Sequence, residues 1–463
     1  MAKTPAWLDA ALAYIPEWLG YQMRLTEQPG VSLAVAWRGK VALERTFGHA
    51  DLGTGEALTP RHRFRVASHS KSFTAAGMMK LREQGRLKLD DTAGQYVHGL
   101  HPKIAAATIS QLLSHTAGVF RDGVDSPYWA GRAPFSDEAR IRADLRLAPV
   151  IDAGTRLKYS NHGFALAGLV IEAITGEPYR AWIEREIVAP AELDETHADT
   201  PLAKGIPLAR GHSGKTLLGR RLVFPGDQPT HALAAATGFV STAGDLAKFF
   251  SRLAPAAKPS FLKPASRREM SRPQWRDPYS PLARGYGLGT ISSAVDDWEC
   301  FGHSGGFQGY ITRTSVVPAK DLAVSVLTNA VDGPAETWMD GALQILKRFE
   351  ADGAPPAKAA DWSGRWWSSW GPTDLVPVGE KVLLASPGLA NPFLKVPEAV
   401  IERQGEARIV EASGFHSYGE PVRLMRGKRG KVTSVWVGSG EMVSEAALKA
   451  ELLDRYGGET PKR

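Results

Sequence analysis

Four short stretches of this chain hold residues whose types and spacing suit nucleophilic acyl chemistry: Ser68-His69-Ser70-Lys71, Tyr159-Ser160-Asn161, Gly302-His303-Ser304-Gly305-Gly306, and the partial repeat Gly211-His212-Ser213-Gly214. A serine hydroxyl is a poor nucleophile until a neighbouring base takes its proton. Residues i and i+3 of a helix share a face, so on a helix the Lys71 amine can reach the Ser68 hydroxyl. Packed among apolar neighbours, such an amine loses its proton near neutral pH and serves as the base.

The GHSGG stretch also fits G-x-S-x-G, a strained strand-to-helix turn that lifts a serine above a sheet. That reading demands a helix after the serine, because its N-terminus and the next N–H steady the oxyanion. Here Ser304 leads into Gly305, Gly306, Gly309 and then Tyr-Ile-Thr-Arg-Thr-Ser-Val-Val, the text of a strand. An acid and then a histidine should also follow, and the only histidine after Ser304 is His416, in a separate Trp-rich segment. Ser304 therefore reads as a supporting residue, and His303, Gly305 and Gly306 as the wall of a cleft. On a strand edge His303 can point inward, while the two glycines let a substrate backbone approach and can offer an N–H to an oxyanion.

Ser260-Phe-Leu-Lys263 also matches S-x-x-K, but Pro259 and Pro264 flank it and no apolar stripe follows, so it reads as loop. Tyr159-Ser160-Asn161 is the only Y-x-N in the chain and follows a turn at Gly154. A phenol beside Lys71 can pass the Ser68 proton to a leaving group, and the Asn161 amide can hold Lys71 or a substrate carbonyl. Alone, this motif reads as an interfacial tyrosine beside a turn asparagine. His212 sits in loop-like text and reads as a surface residue; His69 and His162, beside the motifs, read as solvated polar residues. His98 and His101 read as loop histidines and Cys300 as a strand residue.

The elements that must position these residues are legible in outline. Gly30 to Asp51 holds two apolar runs about Arg38-Gly39-Lys40, a hairpin signal. Ser68 to Gly85 has Phe73, Ala76, Met79 and Leu81 at helical spacing, which sets Ser68 at or near a helix start. Leu89 to about Thr230 reads as a mostly helical block with Gly- and Pro-rich loops. Gly238 to Leu253 reads as an amphipathic helix capped by Ser241 or Thr242. From Gly285 the text is β-like, and a helix from about Pro334 to Phe349 closes the domain. Residues 351–360 read as a linker by composition. Beyond it, 361–463 holds Trp362, Trp366, Trp367, Trp370 and Trp436 among short alternating runs, the pattern of a small barrel or sandwich.

Composition sets bounds without naming a function. The 463 residues suffice for one large domain and a smaller one. With 43% hydrophobic and 23% charged residues the chain is ordinary globular protein. The formal charge of +7 is scattered, and its one dense run, Arg423 to Lys431, contains two glycines and reads as a solvated hairpin turn, so no nucleic-acid partner is expected. A single cysteine excludes an intrachain disulfide framework. Pro5, Pro16 and acids break the N-terminal text, which lacks a signal-peptide pattern, and no apolar run approaches a membrane span. The expected address is cytoplasmic, with no membrane partner. No HExxH, paired-cysteine or phosphate-loop pattern occurs, so neither metal nor cofactor is expected.

S-x-x-K, Y-x-N and H-x-G, in that order on a helix, a loop and a strand, resemble the serine β-lactamase and penicillin-binding-protein-like hydrolases. The resemblance is closest to the β-lactamase class C-type architecture that includes D-aminopeptidases and family VIII esterases. It runs from about Pro29 to Asn329, through PGVSLAVAWRGKV, FRVASHSKSFTA, LDDTAGQYV, ATISQLLSHTAGV, KYSNHGFALAGLVIE, GFVSTAGDLAKF, YGLG, GHSGGFQGY and VLTN. It implies an α/β (α+β) fold with helices on an antiparallel sheet and an all-α region inserted after the Ser68 helix. It also implies that Ser68 forms an acyl-enzyme, that Lys71 and Tyr159 handle its proton, and that the Ser68 and Gly306 amides make the oxyanion hole. The third motif carries His303 where β-lactamases and D,D-peptidases usually carry lysine, so strong β-lactam hydrolysis is not implied. More weakly, the Trp-rich tail resembles the β-barrel appendages of D-aminopeptidase-like members.

The expected organisation is a hydrolase domain over 1–350, a linker over 351–360 and a β-barrel-like domain over 361–463. The expected catalytic residues are Ser68, Lys71, Tyr159 and His303, with Asn161, Gly305 and Gly306 binding substrate or oxyanion. The expected activity is cleavage of a small amide or peptide, of aminopeptidase type or D-stereospecific. A carboxylesterase and a non-catalytic peptide binder are the alternatives, and a homo-oligomer is allowed.

Overall fold

The computed structural model describes residues 4–279 and 284–457. By contact the chain divides into two compact units: Glu27–Met339, and Met1–Thr26 together with Asp340–Arg463. The expected boundaries ran only along the chain, whereas contact joins the N-terminal helix to the C-terminal residues.

In the larger unit, the apolar runs after Gly30 form the expected hairpin, Gly30–Trp37 with Lys40–Asp51, turned at Arg38 and Gly39. Strand Gly30–Trp37 pairs on its other side with Leu322–Thr328, Val31 opposite Thr328. Tyr310–Val317, Trp298–Phe307, Ile291–Val295, Gly285–Tyr286 and Trp275–Arg276 continue the sheet, and Glu56–Ala57 closes the far edge. These make nine antiparallel strands among the described residues. Leu322–Thr328 is buried throughout, the pattern of a central strand covered on both faces.

Helices supply that cover. Thr242 caps Ala243–Leu253 by accepting from the Asp245 N–H, and this helix packs on strands Gly30–Trp37, Tyr310–Val317 and Leu322–Thr328. Its Leu246, Phe249, Phe250 and Leu253 are buried, each worth about 1.5–3 kcal/mol of transfer free energy. Helix Ser70–Glu83 packs against Asn161–Thr175 and the turn Ala234–Gly238, with the Phe73 ring 4.4 Å from Phe239 and 3.9 Å from Phe249. The regular elements of the inserted block are mainly helices, Pro102–Ala105, Ile109–Leu113, Glu138–Asp144, Asn161–Thr175 and Tyr179–Ile183, but most of its residues lie in turns and loops, so it is less helical than expected. Ser260 lies outside any helix and donates to the Arg252 carbonyl, consistent with its reading as loop.

In the smaller unit, Gly364–Ser368 to Gly440–Val443 form a closed eight-stranded barrel. Trp362, Leu375, Val382, Ile409, Val422 and Val435 lie in its core. Helix Ala6–Leu25 was not foreseen, because Pro16 read as a break. It runs through Pro16, with Trp18 donating to the Leu389 carbonyl at 3.1 Å and Tyr14 to Asp374 at 3.0 Å. Helix Glu445–Tyr456 was likewise not foreseen. Among the described residues no helix is long and apolar enough to cross a membrane.

Three histidines read as solvated are fully buried: His69, His162 and His212. Each is held by polar partners that no local pattern announces. His69 Nδ1 donates to the Val66 carbonyl, His162 pairs with Asp144, and His212 bridges the Asn329 carbonyl and the Leu52 N–H.

Candidate active site

The chain enters the site through a tight 3-10 turn, Ala67–His69, that runs directly into helix Ser70–Glu83. Ala67 holds φ at 46°, a strained conformation for a residue with a side chain, and the bend presents Ser68 at the helix start. The Ser70 hydroxyl secures the turn by donating to the Ala67 carbonyl and accepting from the Phe239 N–H.

Three residues along the helix, the Lys71 amine stands 3.0 Å from Ser68 Oγ, 2.7 Å from Asn161 Oδ1 and 2.8 Å from the Ala236 carbonyl oxygen. Lys71 is fully buried. Burial holds its pKa well below the ordinary lysine value; Asp122 opposes that effect and Arg121 adds to it. Two of the three partners, an amide oxygen and a peptide carbonyl, can only accept. A neutral amine therefore spends both N–H bonds on them and turns its lone pair to Ser68, the geometry of a general base.

Burial raises the Tyr159 phenol well above the ordinary value, an effect that the neighbouring Ser68 hydroxyl partly offsets. Burial thus favours the protonated phenol at Tyr159 and the neutral amine at Lys71. The Lys71 amine lies 4.7 Å from the Tyr159 ring centroid. Ser160 caps helix Asn161–Thr175 by accepting from the Gly163 N–H, so Asn161 opens the helix just after Tyr159.

The GHSGG stretch occupies the inner strand Trp298–Phe307. Its neighbour Ile291–Val295 pairs only as far as Gly302, while pairing to Tyr310–Val317 continues from Phe301 through Phe307. His303 to Gly306 thus lie on a ladder open on one side, as expected of an edge. A Cβ at Gly305 would stand 2.2 Å from the Val66 carbonyl oxygen, so glycine is what lets this strand lie against the turn carrying Ser68. At Gly306 the nearest neighbour of a Cβ is Ile311, 3.8 Å away. Ser304 points to the other face from His303, as alternation along a strand requires.

His303 is almost fully buried and both its ring nitrogens have partners within the protein. Nδ1 lies 2.7 Å from the Ser304 carbonyl oxygen, and Nε2 lies 2.9 Å from the Tyr286 hydroxyl. Burial first, then His69 and Lys71, hold its pKa well below the ordinary value, so the ring is neutral. A carbonyl only accepts, so Nδ1 carries the hydrogen and Nε2 accepts from Tyr286.

Sequence reasoning missed three residues of this site. Tyr286, in the Y-G-L-G stretch, packs 6.3 Å from the Tyr159 ring, and His115 packs 4.1 Å from Tyr159 and 4.6 Å from Tyr286. His115 Nδ1 accepts from the Ser160 N–H at 3.1 Å. Asp122 accepts from Asn161 Nδ2 at 2.6 Å. The stretches YGLG and SHTAGV carry part of the resemblance, but no spacing ties their aromatic and imidazole groups to Ser68; Asp122 has no signal at all.

A family profile described as Beta-lactamase matches residues 22–346. Protein flp of Staphylococcus aureus (strain MW2) is 28% identical over 182 residues, 36% of this chain, and the chain spans 34% of that relative's length. Among solved structures, the octameric penicillin-binding protein homologue from Pyrococcus abyssi superposes with a TM-score of 0.66 at 22% identity, covering 94% of this chain and 100% of that one. D-amino acid amidase from Ochrobactrum anthropi SV3, complexed with D-phenylalanine, gives 0.62 at 24% identity, covering 73% of this chain and 99% of that one. At these identities the two likenesses show the fold.

Proposed function

The chain belongs to the β-lactamase family, and from that premise we propose that it is a serine hydrolase that cleaves a small amide or peptide through a Ser68 acyl-enzyme. The observation that carries this reading is the Lys71 amine, buried, 3.0 Å from Ser68 Oγ and supplied with two further acceptors. As Ser68 Oγ bonds the substrate carbonyl carbon, its proton passes to Lys71 Nζ and the carbonyl electron pair moves onto oxygen. The Ser68 and Gly306 amides are assigned to that oxyanion. Tyr159 hands a proton to the leaving nitrogen and is recharged from Lys71; water then reverses the sequence on the acyl-enzyme.

His303 acts in this reading as a positioning residue, since its Nε2 is engaged by Tyr286. Asn161 orients Lys71. A D-amino acid amide is the favoured substrate class, by likeness of fold to the Ochrobactrum amidase; a carboxylic ester is the alternative, cleaved by the same steps with Tyr159 protonating the leaving oxygen so that an alcohol departs.

The test is intact-mass spectrometry after a fluorophosphonate probe, with turnover of p-nitrophenyl esters and of D- and L-aminoacyl amides. The wild type and Ser304→Ala are expected to gain one adduct and to turn over; Ser68→Ala does neither. Full activity of Ser68→Ala sinks the reading and points to another nucleophile; a wild type that gains no adduct and turns nothing over sinks it too and leaves a non-catalytic binder.

A further inference from the structure

Asp122 is the one carboxylate in hydrogen-bond contact with the Ser68, Lys71 and Asn161 cluster among the described residues. Its Oδ1 accepts from Asn161 Nδ2 at 2.6 Å and from Trp129 Nε1 at 3.0 Å, and Oδ2 lies 3.2 Å from Arg121 Nε. Arg121 in turn lies over the Tyr159 ring at 5.0 Å. A linear relay results: Asp122 to Asn161 to Lys71 to Ser68.

A carboxylate only accepts hydrogen bonds, whereas a carboxamide both donates and accepts. With Asp122 on one side, the Asn161 amide has one favourable orientation, nitrogen toward Asp122 and oxygen toward Lys71. The reversed amide would set oxygen against carboxylate and N–H against amine. The orientation of Asn161 then decides the orientation of Lys71. Because Oδ1 and the Ala236 carbonyl consume two N–H bonds, the lone pair is left for the Ser68 hydroxyl. We propose that Asp122 is a positioning residue for acylation: it fixes the Asn161 amide, and through it aims the Lys71 lone pair at Ser68. This rests on the acyl-enzyme reading above.

The same carboxylate has a second effect at the moment of reaction. When the Ser68 proton moves to Lys71, the amine becomes a cation in a buried site, and Asp122, two hydrogen bonds away, is the negative charge that faces it. Arg121, Tyr159, His115 and His303 are the other titratable groups around Lys71. The two histidines are held neutral by burial, so Asp122 is the charge that favours the protonated amine.

Asp122→Asn is near-isosteric and removes both the charge and the acceptor-only character. Two measurements on the full chain test the proposal. In the first, kcat and KM of wild type, Asp122→Asn and Asp122→Glu are followed against pH. Asp122→Asn is expected to lose about 10- to 100-fold in kcat with little change in KM. Because the active base is the neutral amine, loss of the carboxylate lowers the Lys71 pKa, and the acid limb of the pH profile moves to lower pH. Asp122→Glu recovers part of kcat. In the second, Lys71 is titrated by NMR of lysine-labelled protein, a readout that needs no turnover; its midpoint falls in Asp122→Asn. An Asp122→Asn protein with wild-type kcat and an unmoved Lys71 titration overturns the proposal. So does one that loses thermal stability and activity together while the Lys71 titration stays in place, since that is a merely structural role. If the wild type takes no fluorophosphonate on Ser68, the acyl-enzyme reading fails separately, and the NMR titration still decides whether Asp122 governs Lys71.

Discussion

The Tyr286 hydroxyl lies 2.9 Å from His303 Nε2, and the direction of donation is from tyrosine to histidine because Nδ1 already donates to the Ser304 carbonyl. This bond commits the nitrogen that would otherwise face the cleft. Tyr286→Phe would leave a buried, unpaired acceptor at His303, costing about 1–3 kcal/mol. A fall in Tm is expected, with a reduced kcat/KM as the strand beside Ser68 loosens. Unchanged melting and turnover in this variant would show that the hydrogen bond does not hold His303.

The two glycines of the GHSGG strand differ in what surrounds them. At Gly305 a methyl would meet the Val66 carbonyl oxygen at 2.2 Å and Thr312 Oγ1 at 2.5 Å, while at Gly306 the nearest atom is 3.8 Å away. Gly305→Ala must push the strand off the Ser68 turn, with a cost of about 1–3 kcal/mol typical of overpacking and loss of most turnover. Gly306→Ala keeps the wild-type Tm. Thermal melts of the two variants check this, and equal melting would contradict the close approach at Gly305.

Lys71 titrates below its ordinary value of 10.5 because it is buried. The base is the deprotonated form, so kcat/KM is expected to climb as pH rises through the Lys71 pKa, with the midpoint below 10.5. Lys71→Arg retains a cation that does not deprotonate in the accessible range. It should lose about 10²- to 10⁴-fold at every pH and show no such limb. A pH–rate profile of the wild type that is flat below 10.5 argues for another base.

His69 is held neutral: burial takes its pKa from 6.5 to about 3, against the weaker pull of its bond to the Val66 carbonyl. Between those values the unfolded chain binds a proton at this position that the folded chain does not. Stability therefore falls as pH drops from about 6.5 toward 3, and the loss from this residue is complete near the lower value. Urea midpoints measured across that range should be less steep in His69→Gln, which keeps a donor and an acceptor without the titration. Equal slopes in both proteins would remove His69 from the acid response.

Several features were legible in the residues alone because their causes are local. Ser68 and Lys71 meet because i and i+3 share a helix face, and the Gly30 hairpin, the Thr242-capped helix and the C-terminal barrel follow from apolar period and turn chemistry. The N-terminal helix was missed for the same reason: Pro16 argues locally against it, and the packing of Tyr14 and Trp18 within the smaller unit outweighs that argument. His69, His162 and His212 read as solvated because histidine in polar text usually is, and they are buried by partners far along the chain.

What the amino-acid order determined by itself was the pairing of Ser68 with Lys71, since a helix brings them together wherever it sits. Only the tertiary structure decided the surroundings of that lysine. Its state depends on exclusion from water, on the Ala236 carbonyl 165 residues away and on an Asn161 amide turned by Asp122, and spacing along a chain carries no information about any of these. Desolvation and the direction of a hydrogen bond belong to the packed site, because each is set by atoms that meet only when distant segments close on one another.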